Sequence, residues 1–268
     1  MPKRKSTAAS RASARTEQST PKYRAPALEK GLDVLELLAA EKTPMTLSEI
    51  SERLGRSAGE LFRMLQVLEY KHFIKQAPGG IGYALTNKLF ALSMAQAPMR
   101  SLLDVAIPVM RRLSMAIDQS CHIAVPSEDQ IVVVARVERP GDLGFSVRVG
   151  YRRDITQAAS GLVLFAYQSD EVRRLWLKNC GLRGAAADDF VARADAVKVR
   201  GHHQEPSHFV QGIVDLSAPI LRNESAIAAL TCPFVQSVPL TVPRERAITQ
   251  IREAADHISR ELALGDYY

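Results

Sequence analysis

The sequence predicts an α+β chain: a small helical unit closed by a β-hairpin, a helix leading out of it, and a larger α/β sandwich around one mostly antiparallel sheet. Three observations carry this. The stretch "TLSEISERLGRSAGELFRML" (46–65) writes two helix starts close together, and "HFIKQAPGGIGYALT" follows with two short apolar runs around a turn. From residue 121 onward, β-branched runs alternate with turn chemistry.

The first helix is "ALEKGLDVLELLAA", with Leu28, Leu32, Leu35 and Leu38 at helical spacing and an end near Thr43-Pro44. In "TLSE" Thr46 caps a second helix while Glu49 reaches back to it, and Ser57 with Glu60 repeats that capping box for a third. Gly55, after Leu54, suits the left-handed residue that ends a helix cheaply. Leu61, Leu65 and Leu68 carry one apolar stripe to Tyr70, and the hairpin turns at Pro-Gly-Gly. Three helices and a hairpin in this order describe a winged helix-turn-helix.

In such a unit the second helix of the motif enters the major groove with its first residues toward base edges. With the leucines inward, Ser57, Ala58, Gly59, Phe62, Arg63 and Gln66 take the groove face. Arg63 can reach a guanine or a phosphate and Gln66 an adenine or a phosphate, while Lys75 is the wing's phosphate partner. The bland alternative is a helical hairpin within some other core, with Arg63 merely solvated. The leading helix, the hairpin and the basic N-terminus all favour DNA.

A linker helix is expected from Asn87 to Met99, with Leu89, Leu92 and Met94 apolar and Pro98 closing it. The next runs from Leu102 to Asp118, where Leu102, Ala106, Val109, Leu113 and Ile117 share a face and Pro108 offers a bend. "CHIAVP", "IVVVARV" and "LGFSVRV" read as strands, separated by "SEDQ" and "ERPGD". "ASGLVLFAY", "DEVRRLWLKN" and "DDFVARADAVKVRG" read as helices, "QGIVDLSAPIL" and "AIAALTCPFV" as strands. A final helix from Pro243 to Leu264 repeats Ile248, Ile251, Ala255, Ile258 and Leu262. The expected organisation is an arm over 1–25, a winged helix-turn-helix over 26–86, a linker helix over 87–100 and a second domain over 101–268.

The 268 residues are 46% hydrophobic and 24% charged, ordinary for a soluble chain, and no apolar run approaches the roughly 18 residues of a membrane span. The net charge of +6 is local: residues 1–25 hold seven Lys and Arg against Glu17, and the remaining residues sum to zero. That stretch cannot bury a core and reads either as a disordered tail or as an arm seeking a polyphosphate, whose bound cations release counterions. It lacks the apolar face of a transit peptide. Cys121, Cys180 and Cys232 are far apart with no CxxC, which excludes a disulfide framework and a four-thiolate zinc site and fits a reducing cytoplasm.

The order of these parts resembles the IclR (isocitrate lyase regulator) family of bacterial transcription regulators, from about Ala27 to Ala263. "ALEKGLDVLELLAA", "TLSEISERLG", "FRMLQVLEYKHFI", "VGYRRDITQAASGLVLFA", "GIVDLSAPIL" and "AALTCP" carry it. The resemblance implies a dimer-forming linker helix and a GAF-like effector domain binding a small molecule, often a carboxylic or aromatic acid. It also implies a homodimer or dimer of dimers on palindromic double-stranded operators of catabolic genes, repressed or activated, in the bacterial cytoplasm. Gly59-Glu60 replaces the family's common Ser-Thr pair and Arg56 its usual hydrophobic residue, so the operator sequence does not transfer. The resemblance places the effector beside "TQAASG", at Ala159 and Ser160 with Gly161 packing behind. Phe145, Glu205, Asp215, Thr231 and Cys232 come from the strands. Asp215, where some members are uncharged, argues against a purely anionic ligand and favours a polyol, a sugar acid or an amine-bearing compound.

Each of these residues has a structural alternative: Phe145 alternates with Leu143, Val147 and Val149 as sheet core would, and Cys121 and Cys232 suit small buried hydrophobes. His202, His203, Glu205 and His208 in "GHHQEPSH" are metal-ligand types, but without helical H-x-x-x-H spacing, and read as an exposed loop. Neither a metal nor a cofactor is expected. An enzyme has no positive signal, because Cys121 and His122 on one strand point to opposite faces and no GxSxG or HExxH is present. A redox regulator needs an exposed acidified thiol, against the apolar strands around Cys121 and Cys232.

Overall fold

The structure, a computed structural model, describes residues 25 to 265 apart from 42, 78, 95, 96, 142, 143 and 237 to 241. The basic arm expected at residues 1–25 lies outside them except for Ala25, as does Leu143. The chain forms two compact units divided between Ser93 and Met94.

The first unit is α1 (Pro26–Ala40), α2 (Leu47–Leu54), α3 (Ala58–Tyr70), the antiparallel hairpin β1 (Ile74–Gln76) and β2 (Tyr83–Leu85), and all but the last residue of α4 (Lys88–Met94). Its core joins Val34, Leu35, Leu38, Met45, Ile50, Leu61, Leu65 and Ile74. The expected stripe on α1 is partly wrong, since Leu28 and Leu32 are 63% and 49% exposed. At 100° per residue the four leucines spread over about 120° of the helix, with Leu28 and Leu32 at one margin, and the inward face centres instead on Gly31, Val34, Leu35 and Leu38.

Thr46 builds the full capping box, accepting from the Glu49 amide at 3.3 Å while its own amide donates to the Glu49 carboxylate at 2.7 Å. Gly55 ends α2 at φ 61°. The second capping box is not formed. Ser57 is the N-cap residue but its side chain accepts no cap hydrogen bond, and the Glu60 carboxylate accepts from Lys30 on α1 at 3.1 Å. In the wing, Gly82 at φ 86° lies where a Cβ would come within 3.0 to 3.1 Å of the Met45 backbone, which bridges to Tyr83.

The second unit opens with α5 (Ala97–Ile117), whose first turn contains Pro98. Proline therefore starts this helix, where its missing N–H has no helical partner to lose, instead of closing a linker helix. Leu102, Ala106, Val109, Leu113 and Ile117 are all buried. The strands β3 (Cys121–Ser127), β4 (Gln130–Val137), β5 (Arg152–Asp154), β6 (His203–Pro206), β7 (Ile213–Arg222) and β8 (Ser225–Val235) form an antiparallel sheet in the order β5-β4-β3-β8-β7-β6. Between them lie a 3-10 turn (Ile155–Gln157), α6 (Ala159–Ala166), α7 (Asp170–Asn179) and α8 (Ala185–Arg200), with α9 (Arg244–Gly265) last.

Two edge strands depart from expectation. "LGFSVRV" forms no strand among its described residues, and the edge is the polar triplet β5. "GHHQEPSH" is not an exposed loop, because His203 to Pro206 pair with Ser217 to Val214 of β7. Edge strands are often short and charged, which removes the alternation that would reveal them.

Period two then sorts the side chains. Cys121, Ile123 and Val125 of β3 and Ala228, Leu230, Cys232 and Phe234 of β8 meet α5 and α9 in one core. Ala124, Ile131, Val133 and Ala229 meet α6, Trp176 of α7 and Phe190 of α8 in the other. A register shift between Ile123 and Ala124 carries Ala135 to the α5 side.

Candidate functional site

In the first unit, Ser57, Ala58, Gly59, Phe62, Arg63 and Gln66 are all exposed along one side of α3, opposite buried Leu61 and Leu65. Phe62 is 44% exposed. Lys75 is exposed on β1. Arg56, just after the turn, is held by Asp33 of α1 at 3.0 Å. Arg63 makes no hydrogen bond or ion pair among the described residues. Glu60, bound to Lys30, has its carboxyl held below the usual range by that hydrogen bond and charge, and stays available as an anion.

In the second unit a cavity of about 340 Å3 lies on the α6 face of the sheet. Five residues expected around an effector line it: Phe145, Ala159, Ser160, Asp215 and Thr231. Two do not. Cys232 neighbours Thr231 on β8, so it points through the sheet into the α5–α9 core, fully buried. Glu205 stands on edge strand β6 and accepts from Arg193 of α8 at 2.6 Å.

The glycine of "TQAASG" has a steric reason. A Cβ on Gly161 would lie 2.0 Å from the Ile155 carbonyl oxygen, so only glycine lets the first turn of α6 close against the 3-10 turn. That contact fixes Ala159 and buried Ser160 at the cavity. Thr231 is buried and its hydroxyl is shared with Ser217 at 2.8 Å.

His122 is the residue the sequence left unassigned. It lies opposite Thr231 across the β3–β8 ladder, lines the cavity, and is 6% exposed. Burial pushes its pKa down to about 4, so the ring is neutral, and its Nδ1 has no partner among the described residues. Alternation with Cys121 already placed it on the opposite face, which was the available signal. Asp215 is half-buried, and loss of solvent raises its pKa, opposed by a hydrogen bond from Ser207 and the nearby His208.

Over the cavity, Phe209 comes from the loop after β6 and Tyr151 from the residue before β5. The Arg153 guanidinium stacks 4.1 Å from the Phe209 ring centroid and donates to the Tyr151 hydroxyl at 2.9 Å, tying the two together. No periodic pattern announces Phe209, because it sits in an irregular loop. His203 is buried with its pKa also pushed down to about 4 by burial, and no cluster of three or more His, Cys, Asp or Glu suited to a metal occurs among the described residues. No helix among them is long and apolar enough to cross a membrane.

Comparison with known proteins gives two family matches: the IclR helix-turn-helix domain over residues 27–78 and the bacterial transcriptional regulator IclR C-terminal domain over 95–260. The chain is 26% identical over 249 residues to the glycerol operon regulatory protein of Streptomyces griseus, covering 90% of this chain and 97% of that one. It is 25% identical over 248 residues to the regulator KdgR of Escherichia coli K12, covering 89% and 93%. Among solved structures, an IclR homolog from Microbacterium hydrocarbonoxydans complexed with 4-hydroxybenzoate superimposes with a TM-score of 0.75 at 21% identity, covering 89% of this chain and 99% of that one.

Proposed function

Because the chain belongs to the IclR family of bacterial transcriptional regulators, with a DNA-binding helix-turn-helix and a C-terminal effector domain, we propose that a metabolite bound in the 340 Å3 cavity sets its affinity for a palindromic operator. The observation that carries this is the convergence of Phe145, Ala159, Ser160, Asp215 and Thr231, from distant parts of the sequence, on one cavity. The regulated genes belong to a catabolic operon, and the regulator acts as a homodimer or dimer of dimers. Exposed Leu89, Phe90 and Leu92 on α4 support a role for that helix in self-association.

On the DNA side, Ser57, Ala58, Gly59, Phe62, Arg63 and Gln66 face the major groove and Lys75 a phosphate of the flanking backbone. Arg63, unpaired among the described residues, is the base-reading or phosphate-clamping cation. The effector acts by population shift: it binds one arrangement of the dimer better and so changes operator affinity by its preference between arrangements, about 1 to 3 kcal/mol.

Footprinting and fluorescence anisotropy with the full chain test this. Arg63→Ala should weaken operator binding roughly ten- to hundredfold, the worth of one good base contact, while thermal-shift binding of small molecules stays intact. Equal loss of both would contradict separate sites. A metabolite that binds the chain without moving operator affinity would sink the regulatory link.

A further inference from the structure

The cavity's interior carries little charge, and what it carries is negative. Its charged lining residues are Asp215, half-buried, and Arg148, which is exposed at the rim. Among the described residues no buried lysine or arginine lines it. A carboxylate entering it would lose its hydration and face the Asp215 charge at short range in a medium that screens poorly.

The remaining polar groups want both a donor and an acceptor. The Nδ1 of His122 is buried with no partner among the described residues, and an orphaned lone pair costs less than an orphaned N–H, so the proton of the neutral ring belongs on Nε2. His122 then offers a donor, and Asp215 an acceptor. Buried Ser160 can play either part, and the Thr231 hydroxyl, shared with Ser217, can still accept; of the other lining hydroxyls Ser146 donates to Glu138, Ser207 hydrogen-bonds Asp215 and Tyr151 accepts from Arg153. The walls are hydrocarbon: Phe145, Phe209, Ile131, Val133, Val147 and Val210.

A hydroxyl satisfies this set, donating to Asp215 or accepting from His122. A carboxylate only accepts, an ammonium could pair with Asp215 but cannot accept from the His122 N–H, and a polyol would press most of its hydroxyls against Val, Ile and Phe side chains. We propose that the effector is an uncharged, hydroxylated compound with an aromatic or alicyclic body, of the phenol or aryl-alcohol class, and that Asp215 is the residue that rejects carboxylates. This rests on the reading of the cavity as the effector site.

The test is calorimetric titration of the full chain with matched pairs, 4-hydroxybenzyl alcohol against 4-hydroxybenzoate and benzyl alcohol against benzoate, in wild type, Asp215→Asn and Ala159→Leu. Circular dichroism checks that each variant is folded. The wild type should bind the alcohol of a pair at least about tenfold tighter than the acid, as a single like charge at low dielectric requires. In Asp215→Asn that ratio should fall toward one, through tighter binding of the acid. Acids binding the wild type as tightly as alcohols, an unchanged ratio in Asp215→Asn, or no alcohol binding at all overturns the assignment. Alcohol binding that survives unchanged when Ala159→Leu fills the cavity overturns instead the reading that the cavity is the site.

Discussion

His122 shows how burial converts one side chain into a property of the whole domain. Its folded pKa of about 4 lies below the ordinary 6.5. Between those values the unfolded chain holds a proton that the folded chain refuses, so stability is fully present above pH 6.5 and falls as pH drops toward 4. His203 contributes in the same direction. The effect is of order 3 kcal/mol for one such residue. Urea unfolding should therefore show a smaller loss of stability between pH 7 and pH 5 in His122→Gln than in wild type; equal losses would mean that the ring is already protonated in the fold. The cysteines give a second test at this scale. Burial pushes the Cys121 thiol up to about 12 and raises Cys232 as well, with Cys121 and Asp215 adding to the latter. A thiol reagent at pH 8 should leave both unmodified in native protein and label them after denaturation. Rapid native labelling of either would revive a redox role.

At the scale of elements, Gly161 ties two pieces of structure that sequence pattern treats separately. Gly161→Ala forces a Cβ against the Ile155 carbonyl, and backbone on both sides leaves no cheap escape. A loss of about 2 to 4 kcal/mol in unfolding free energy is expected. Gly59→Ala on α3, where a Cβ meets nothing within 4 Å, should instead gain roughly 0.5 to 1 kcal/mol from helix propensity. If both variants unfold alike, the close approach at Ile155 is not what holds α6. The central strands and the long helices were legible because their apolar residues repeat with a clear period. The edges β5 and β6 were not, because Arg152–Asp154 and His203–Pro206 are polar and are recognised only by the neighbours they pair with. Ser57 and Glu60 fit a capping box in sequence, but the glutamate accepts from a lysine on another helix.

For the molecule as a whole, the distribution of charge separates DNA reading from DNA attraction. Residues 26–86 hold seven Lys and Arg against eight Asp and Glu, and Lys30, Arg53 and Arg56 are paired with Glu60, Glu41 and Asp33. A unit so nearly neutral has little electrostatic pull of its own, whereas residues 1–25 carry seven cations against one carboxylate. Deleting those residues should flatten the dependence of operator affinity on salt, by a slope of about 0.9 for each phosphate they neutralise. An unchanged slope would assign the phosphate contacts to α3 and the wing. Sequence preference, which resides in base contacts, should survive the deletion.

The sequence by itself determined what depends on near neighbours along the chain: the Thr46 capping box, the Gly55 turn, the leucines of α3, the alternating faces of β3 and β8, and the concentration of positive charge at the N-terminus. Tertiary structure decided what depends on contacts between distant segments. It drew Phe145, Ala159, Ser160, Asp215 and Thr231 around one cavity, added His122 and Phe209, and sent Cys232 and Glu205 elsewhere. The reason is geometric: a strand's period fixes only that neighbouring side chains oppose each other, and which face meets a cavity is settled when helices and loops pack on the sheet.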